Sequence, residues 1–220
     1  MISRDGALYI RLAEAYMTGD IAKLHLDNSV FPPLLLHVIQ WSIKWGIDPK
    51  TGAIFFNCLC GLLLIAITYF LCKNIFHSRF WGWSGALVIA FHPKLIELSI
   101  EVQREMSYML FLALLFWAIM PERGRFWNWR WFAGGLFFGL GILCRLEMLE
   151  MLVIVPAWLG FMVLKMQIPW QKAVKYGCYW LAGCMILLSC ISMSSEVYEH
   201  GFWHSYLSKA YKRSIESRAE

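Results

Sequence analysis

Three small groups of acids and arginines stand at the edges of apolar runs in this sequence: Arg4-Asp5-Gly6, then Glu97, Glu101, Arg104 and Glu105, then Arg145, Glu147 and Glu150. Their chemistry is simple to state. A carboxylate at a lipid–water boundary takes a proton from a hydroxyl or amine acceptor. An arginine beside it grips a phosphate with two hydrogen bonds and offsets its charge. An ionisable group at membrane depth costs about 2.5–3.5 kcal/mol on insertion scales, so such groups usually have a task. Glu97, Glu101 and Glu105 are spaced by four and would share a face if one helix ran through them. Blander readings stand beside these. Asp5 also fits a helix cap, Glu101 with Arg104 fits a solvated ion pair, and Arg145 with Glu147 or Glu150 fits a helix-end pair snorkelling to water.

The elements that must position these groups are apolar. Of 220 residues, 59% are hydrophobic and only 16% are charged. Soluble domains average about 45–50% apolar and about 25% charged, so the excess must face lipid or another apolar partner. Six apolar stretches can be marked: Gly52–Cys72, Phe80–Leu98, Val102–Met120, Trp131–Glu147, Met151–Lys165 and Tyr176–Met193. Backbone groups in lipid must pair internally, so these stretches are expected as helices. The fold class is all-α: a polytopic transmembrane helical bundle.

Basic residues fall between alternate stretches: Lys73 and Arg79, then Arg123, Arg125 and Arg130, then Lys165, Lys172 and Lys175. Cytoplasmic loops carry this excess, so the three acid–arginine groups are expected together on the outer face. The chain then divides into an outer-face loop over 1–51, a transmembrane bundle over 52–195 and a polar tail over 196–220. Within the first segment, Ala7–Met17 has Leu8, Leu12 and Ala15–Tyr16 on one side and Arg11 and Glu14 on another, as an interfacial helix does. Asp5 or Ser3 is a candidate cap for it. Phe31–Trp45 opens with Pro32-Pro33 and is short for a span, so it reads as a second interfacial or re-entrant helix.

Other classes are disfavoured. The net charge of +5 is dispersed, with no basic stripe for nucleic acid. The seven cysteines lie in or beside apolar stretches without zinc-finger spacing and read as small packing residues. His37, His92, His200 and His204 are scattered, and no metal site is expected. Gly134-Gly135, Gly139 and Gly141 read as a helix-packing face rather than a phosphate loop.

The order of these features resembles a family. Arg4-Asp5-Gly6 with Tyr9 and Ala13 is followed by Pro32-Pro33-Leu34 and the Gly52–Cys72 span. A span ending in His92-Pro93 follows, then Arg104-Glu105, then AGGLFFGLGILCRLE over Ala133–Glu147. This is similar to the amino-terminal half of GT-C membrane glycosyltransferases, the dolichyl-phosphate-mannose protein mannosyltransferases and the bacterial aminoarabinose and Rgt-type enzymes. The resemblance implies transfer of a hexose or pentose from a polyprenyl-phosphate carrier to a lipid, glycan or protein acceptor at the outer or luminal face. It implies a bacterial cytoplasmic membrane rather than endoplasmic reticulum, and leaves a divalent metal open. It places Asp5 and Glu105 as catalytic residues, and Arg4, Arg104 and Arg145 at the donor phosphate. Tyr9, Glu101 and Glu147 are then acceptor-binding or supporting groups. It also implies a span before Arg4 and a carboxyl-terminal half as a partner, so that this chain is a part or a remnant of such an enzyme. The alternative class is a non-catalytic lipid-binding scaffold or transporter subunit. Transporters favour charged or broken helices at mid-membrane and related halves, whereas the charges here sit at span ends.

Overall fold

A computed structural model describes residues 4–18, 33–120 and 128–194. Met1–Ser3, Arg123, Arg125, His200, His204, the Arg4 side chain and the 196–220 tail lie outside the described residues. Every regular element described is helical. The helices are α1 (Arg4–Thr18), α2 (Pro33–Lys44), α3 (Pro49–Phe76), α4 (Arg79–Ala90), α5 (Pro93–Ile100), α6 (Glu105–Ile119), α7 (Asn128–Cys144), α8 (Met151–Leu164) and α9 (Trp170–Ser194). A 3-10 turn, Leu146–Glu150, joins α7 to α8.

Local chemistry explains most of the boundaries. The Asp48 carboxylate accepts from the Thr51 amide at 2.8 Å, and Pro49 opens α3, where its missing N–H costs nothing. His77 ends α3 in the left-handed region at φ 51°. His92-Pro93 closes α4 and starts α5, because a residue before proline avoids helical geometry.

The expected six spans meet helices of unequal length. Pro49–Phe76 and the combined stretch Leu146–Leu164 are each long and apolar enough to cross a membrane. A third span appears if α5 and α6 count as one, but they are bent by 117° at their break. That break corrects the expectation of a shared carboxylate face. The helix does not run through Glu101, whose backbone is extended (φ −104°, ψ 154°), so Glu97 and Glu105 sit on differently directed helices.

α7 is the most buried helix, and its glycines are the reason. A Cβ on Gly135 would overlap the Trp180 carbonyl of α9, and one on Gly183 would overlap the Phe132 carbonyl of α7. The two backbones thus touch in both directions, as small residues permit. Around this contact Trp131 stacks on Tyr176 at 5.3 Å and Phe138 packs on Trp180 at 4.8 Å. Arg130, expected as a loop cation, is instead buried. Its guanidinium lies 4.6 Å over the Trp117 ring and donates to the Trp117 carbonyl.

α1 and α2 pack against one end of the bundle. Tyr9, Leu12 and Ala13 of α1 pack on Leu35, Leu36 and Ile39 of α2, on Ala53 of α3 and on Val102 of the break. The inward face of α1 is therefore centred on Tyr9 and Ala13 rather than on Leu8 and Ala15, because its contacts are α2 and the break. Short connections alternate from there. The start of α3, the α5–α6 break, the end of α7 and the start of α8 come to the same end.

Candidate functional site

That shared end is where the acids and arginines meet. Arg145 follows the last residue of α7. Its amide still donates to Gly141 at 2.9 Å, but its backbone is extended, which turns the side chain away from the helix axis. The guanidinium faces Glu147 at 2.7 Å and Glu105 at 3.6 Å. It also lies 5.6 Å from the Tyr108 ring, one turn beyond Glu105 on α6. α6 and α7 thus place one arginine between two carboxylates and against an aromatic face. Each terminal nitrogen faces one carboxylate, and Nε has no hydrogen-bond partner among the described residues, so the guanidinium keeps donors to offer a phosphate.

The magnitude of these pairs bears on their purpose. The Arg145 side chain is 28% exposed, Glu105 29% and Glu147 49%. Pairs with this much water access contribute only about 0–1 kcal/mol to stability. Their contribution to the fold is small, and their convergence at one helix-bundle end makes them candidates for binding or catalysis.

Arg104 and Tyr9 form a second arm. Arg104 is the residue before α6, and its side chain hydrogen-bonds the Tyr9 hydroxyl of α1. Burial pushes the Tyr9 phenol up to about 12, with Arg104 opposing the shift. Glu105 and Asp5 both act on the same phenol through their charge. Asp5 is exposed, in the first turn of α1 rather than at a capping position, one turn before Tyr9. So Tyr9, Arg104, Glu105 and Arg145 are brought together, with Glu147 beside Arg145 and Asp5 at the rim.

Other expected residues are used elsewhere. Glu97 pairs with Lys94 at 2.9 Å in the open. The Glu101 carboxylate accepts from Gln103, its neighbour in the break. His37 bonds Gln40 at 3.2 Å on α2, and burial holds its imidazole below the usual range. Among the described residues no group of three or more His, Cys, Asp or Glu side chains is arranged to hold a metal ion.

Sequence reasoning missed three contributors. Asn57 is fully buried in α3 and donates to the carbonyls of Glu101 at 2.6 Å and Gln103 at 2.8 Å. Its signal was an amide in an otherwise uncharged run, where a polar group needs a partner. Ser107 donates to the Arg104 carbonyl and accepts from Cys144 at 3.4 Å, a polar seam below Arg145. Tyr108 supplies the ring beside Arg145.

A family model described as dolichyl-phosphate-mannose-protein mannosyltransferase matches residues 31–194. The chain belongs to this family. The match runs from the start of α2 to the end of α9 and includes Glu101, Arg104, Glu105, Arg145 and Glu147. Arg4, Asp5 and Tyr9 precede the matched stretch, so it does not bear on them, and Tyr9 is brought to the site by the packing of α1. No curated protein and no solved structure matches the chain. Family membership and the apolar helices together make this an integral membrane protein of a glycosyltransferase family.

Proposed function

We propose that the protein transfers a sugar from a polyprenyl-phosphate carrier to an acceptor at the outer or luminal membrane face. The observation that carries this reading is the placement of Arg145 between Glu105 and Glu147, with Arg104 on Tyr9 alongside. In the proposed step a carboxylate takes the proton of the acceptor hydroxyl or amine. The acceptor atom attacks the anomeric carbon, and the bond to the phosphate oxygen breaks with its electron pair leaving on the phosphate. Transfer of this kind inverts the anomeric centre. Glu105 is the better-supported base because it lies inside the family match and faces Arg145. Asp5, exposed and one turn from Tyr9, is the candidate contributed by the resemblance. Arg104 and Arg145 offset the charge that grows on the phosphate, where aimed cationic donors are most effective.

The test uses membranes containing the full chain and labelled polyprenyl-phosphate mannose, with lipid, glycan and protein acceptors supplied separately. Transfer should fall sharply for Glu105→Gln and for Arg145→Gln. Unchanged transfer in Asp5→Asn removes Asp5 from the mechanism. Unchanged transfer in both Asp5→Asn and Glu105→Gln overturns the proposed chemistry.

A further inference from the structure

The break between α5 and α6 sets where Arg104 and Glu105 stand, and within it Gln103 donates its backbone N–H to the Glu101 carbonyl at 3.0 Å and its side-chain amide to the Glu101 carboxylate. No glycine or proline lies between Ser99 and Glu105. α6 begins after Arg104 without a side-chain cap, and Glu101 is extended. The last carbonyls of any helix lack intrahelical partners and must find others. Here α3 supplies a donor to one of these, Ser99, and further donors to two carbonyls of the break itself. Asn57 donates one amide hydrogen to the Glu101 carbonyl at 2.6 Å and the other to the Gln103 carbonyl at 2.8 Å. One residue on, the Cys58 thiol donates to the Ser99 carbonyl at 3.2 Å. One turn on, Gly61 lets α5 approach so closely that an added Cβ would lie 2.8 Å from the Ser99 hydroxyl.

Asn57 is buried to 0% exposure, and its Oδ1 has no hydrogen-bond partner among the described residues. A buried acceptor left unpaired is unfavourable, and an apolar residue of similar size would avoid it. The amide is therefore explained by what its donors do rather than by its fit to an apolar helix.

We propose that Asn57 is the positioning residue for the Arg104–Glu105 pair. Its side-chain amide fixes the break, and the break fixes the register at which Glu105 meets Arg145 and Arg104 meets Tyr9. Asn57 touches no reacting atom in this scheme and acts through the turn it holds. Its effect on turnover rests on the proposed transfer reaction. Its effect on the break does not.

The experiment compares the wild-type chain with Asn57→Leu, which removes both donors, and Asn57→Gln, which keeps them. Amide hydrogen exchange is followed by mass spectrometry in detergent, and transfer kinetics are measured on the same preparations. For Asn57→Leu, exchange across residues 99–108 should rise roughly 10- to 100-fold while peptides of α7 and α9 keep their wild-type protection. The same variant should lose roughly 10²-fold in kcat with the donor KM little changed, since misplacement of a reacting group acts on the chemical step. Asn57→Gln should recover much of both. Equal loosening of α7 and α9, or no loosening of 99–108, overturns the proposal, as does a loss confined to KM. A wild-type chain that transfers no sugar defeats the proposed reaction, and the exchange comparison still decides the role of Asn57.

Discussion

Arg145 and Glu105 face each other at 3.6 Å across the α6–α7 interface, one just past the end of its helix and the other at the start of its own. Neither is buried, and each has further neighbours. Replacing either should therefore separate activity from stability. Glu105→Gln should lower transfer on the order of 10²-fold or more, the usual contribution of a positioned proton acceptor. The same change should alter unfolding by no more than about 1 kcal/mol, because the pair is only partly buried and its two groups are 3.6 Å apart. Initial rates and thermal unfolding of the same membrane preparation check both halves.

Tyr9 gives a prediction with a pH sign. Its phenol is pushed up from 10.0 to about 12 by burial. In the unfolded chain it ionises near 10, so between pH 10 and 12 the native state holds the extra proton and stability falls as pH rises. The loss over that window is about 2–3 kcal/mol, from roughly 1.36 kcal/mol per unit. Below pH 10 Tyr9 is neutral in both states and contributes no slope. Tyr9→Phe should lack this alkaline decline while losing the Arg104 hydrogen bond at every pH. Denaturant unfolding at pH 8 and pH 11 for both chains gives the difference.

Two glycines, one in the α7–α9 contact and one in α8, should give opposite outcomes. Gly183→Ala places a methyl group onto the Phe132 carbonyl, which belongs to a helix backbone and cannot turn aside. Overpacking usually costs about 1–3 kcal/mol, and this site should lie at or above the top of that range. Gly160 lies in α8 with nothing within 4 Å of an added Cβ. Gly160→Ala should be neutral or stabilising by about 0.4–1 kcal/mol, through the unfolded chain. Unfolding midpoints in one detergent rank the three proteins.

Topology is open to a direct check. In a chain freed of its seven native cysteines, cysteine introduced at Glu14 or Glu147 should react with an impermeant thiol reagent from one side of the membrane. Cysteine at Lys165, beyond the far end of α8, should react from the other. Labelling of 14 and 147 from opposite sides would dissolve the site, since α1 and the α7–α8 turn would no longer share an end.

Much of the fold could be read from local chemistry, and the exceptions share a cause. Asp48-Pro49 announces the start of α3, His92-Pro93 the end of α4, and the α7 glycines a close helix contact. The break at residues 101–104 carries no such mark. Its glutamates recur every four residues, which locally favours a continuous helix, and the Asn57 and Cys58 groups that help hold the turn belong to α3. Arg130 misled for the same reason, since it follows Arg123 and Arg125 like a loop cation while its actual partner, Trp117, lies on α6. At the site, Arg145 with Glu147 was visible as a near neighbour. Glu105 with Arg145 depended on which helix ends coincide, and Arg104 with Tyr9 on how α1 packs. Interactions between distant segments require the packed structure, because spacing along the chain holds no record of them.

The unequal helices carry a consequence for the surrounding bilayer. α3, with 28 residues, is about 42 Å long, while α6 with 15 and α7 with 17 reach only about 22 and 26 Å. A hydrocarbon core is roughly 30 Å thick. One long helix accommodates that thickness by leaning, whereas short helices that cross it are met by thinning of the bilayer, by snorkelling of flanking residues or by association with further helices. A leaflet thinned around α6 and α7 would bring its surface down toward the Glu105–Arg145 end. A headgroup arriving there would descend with the surface, and its tail would stay in oil throughout.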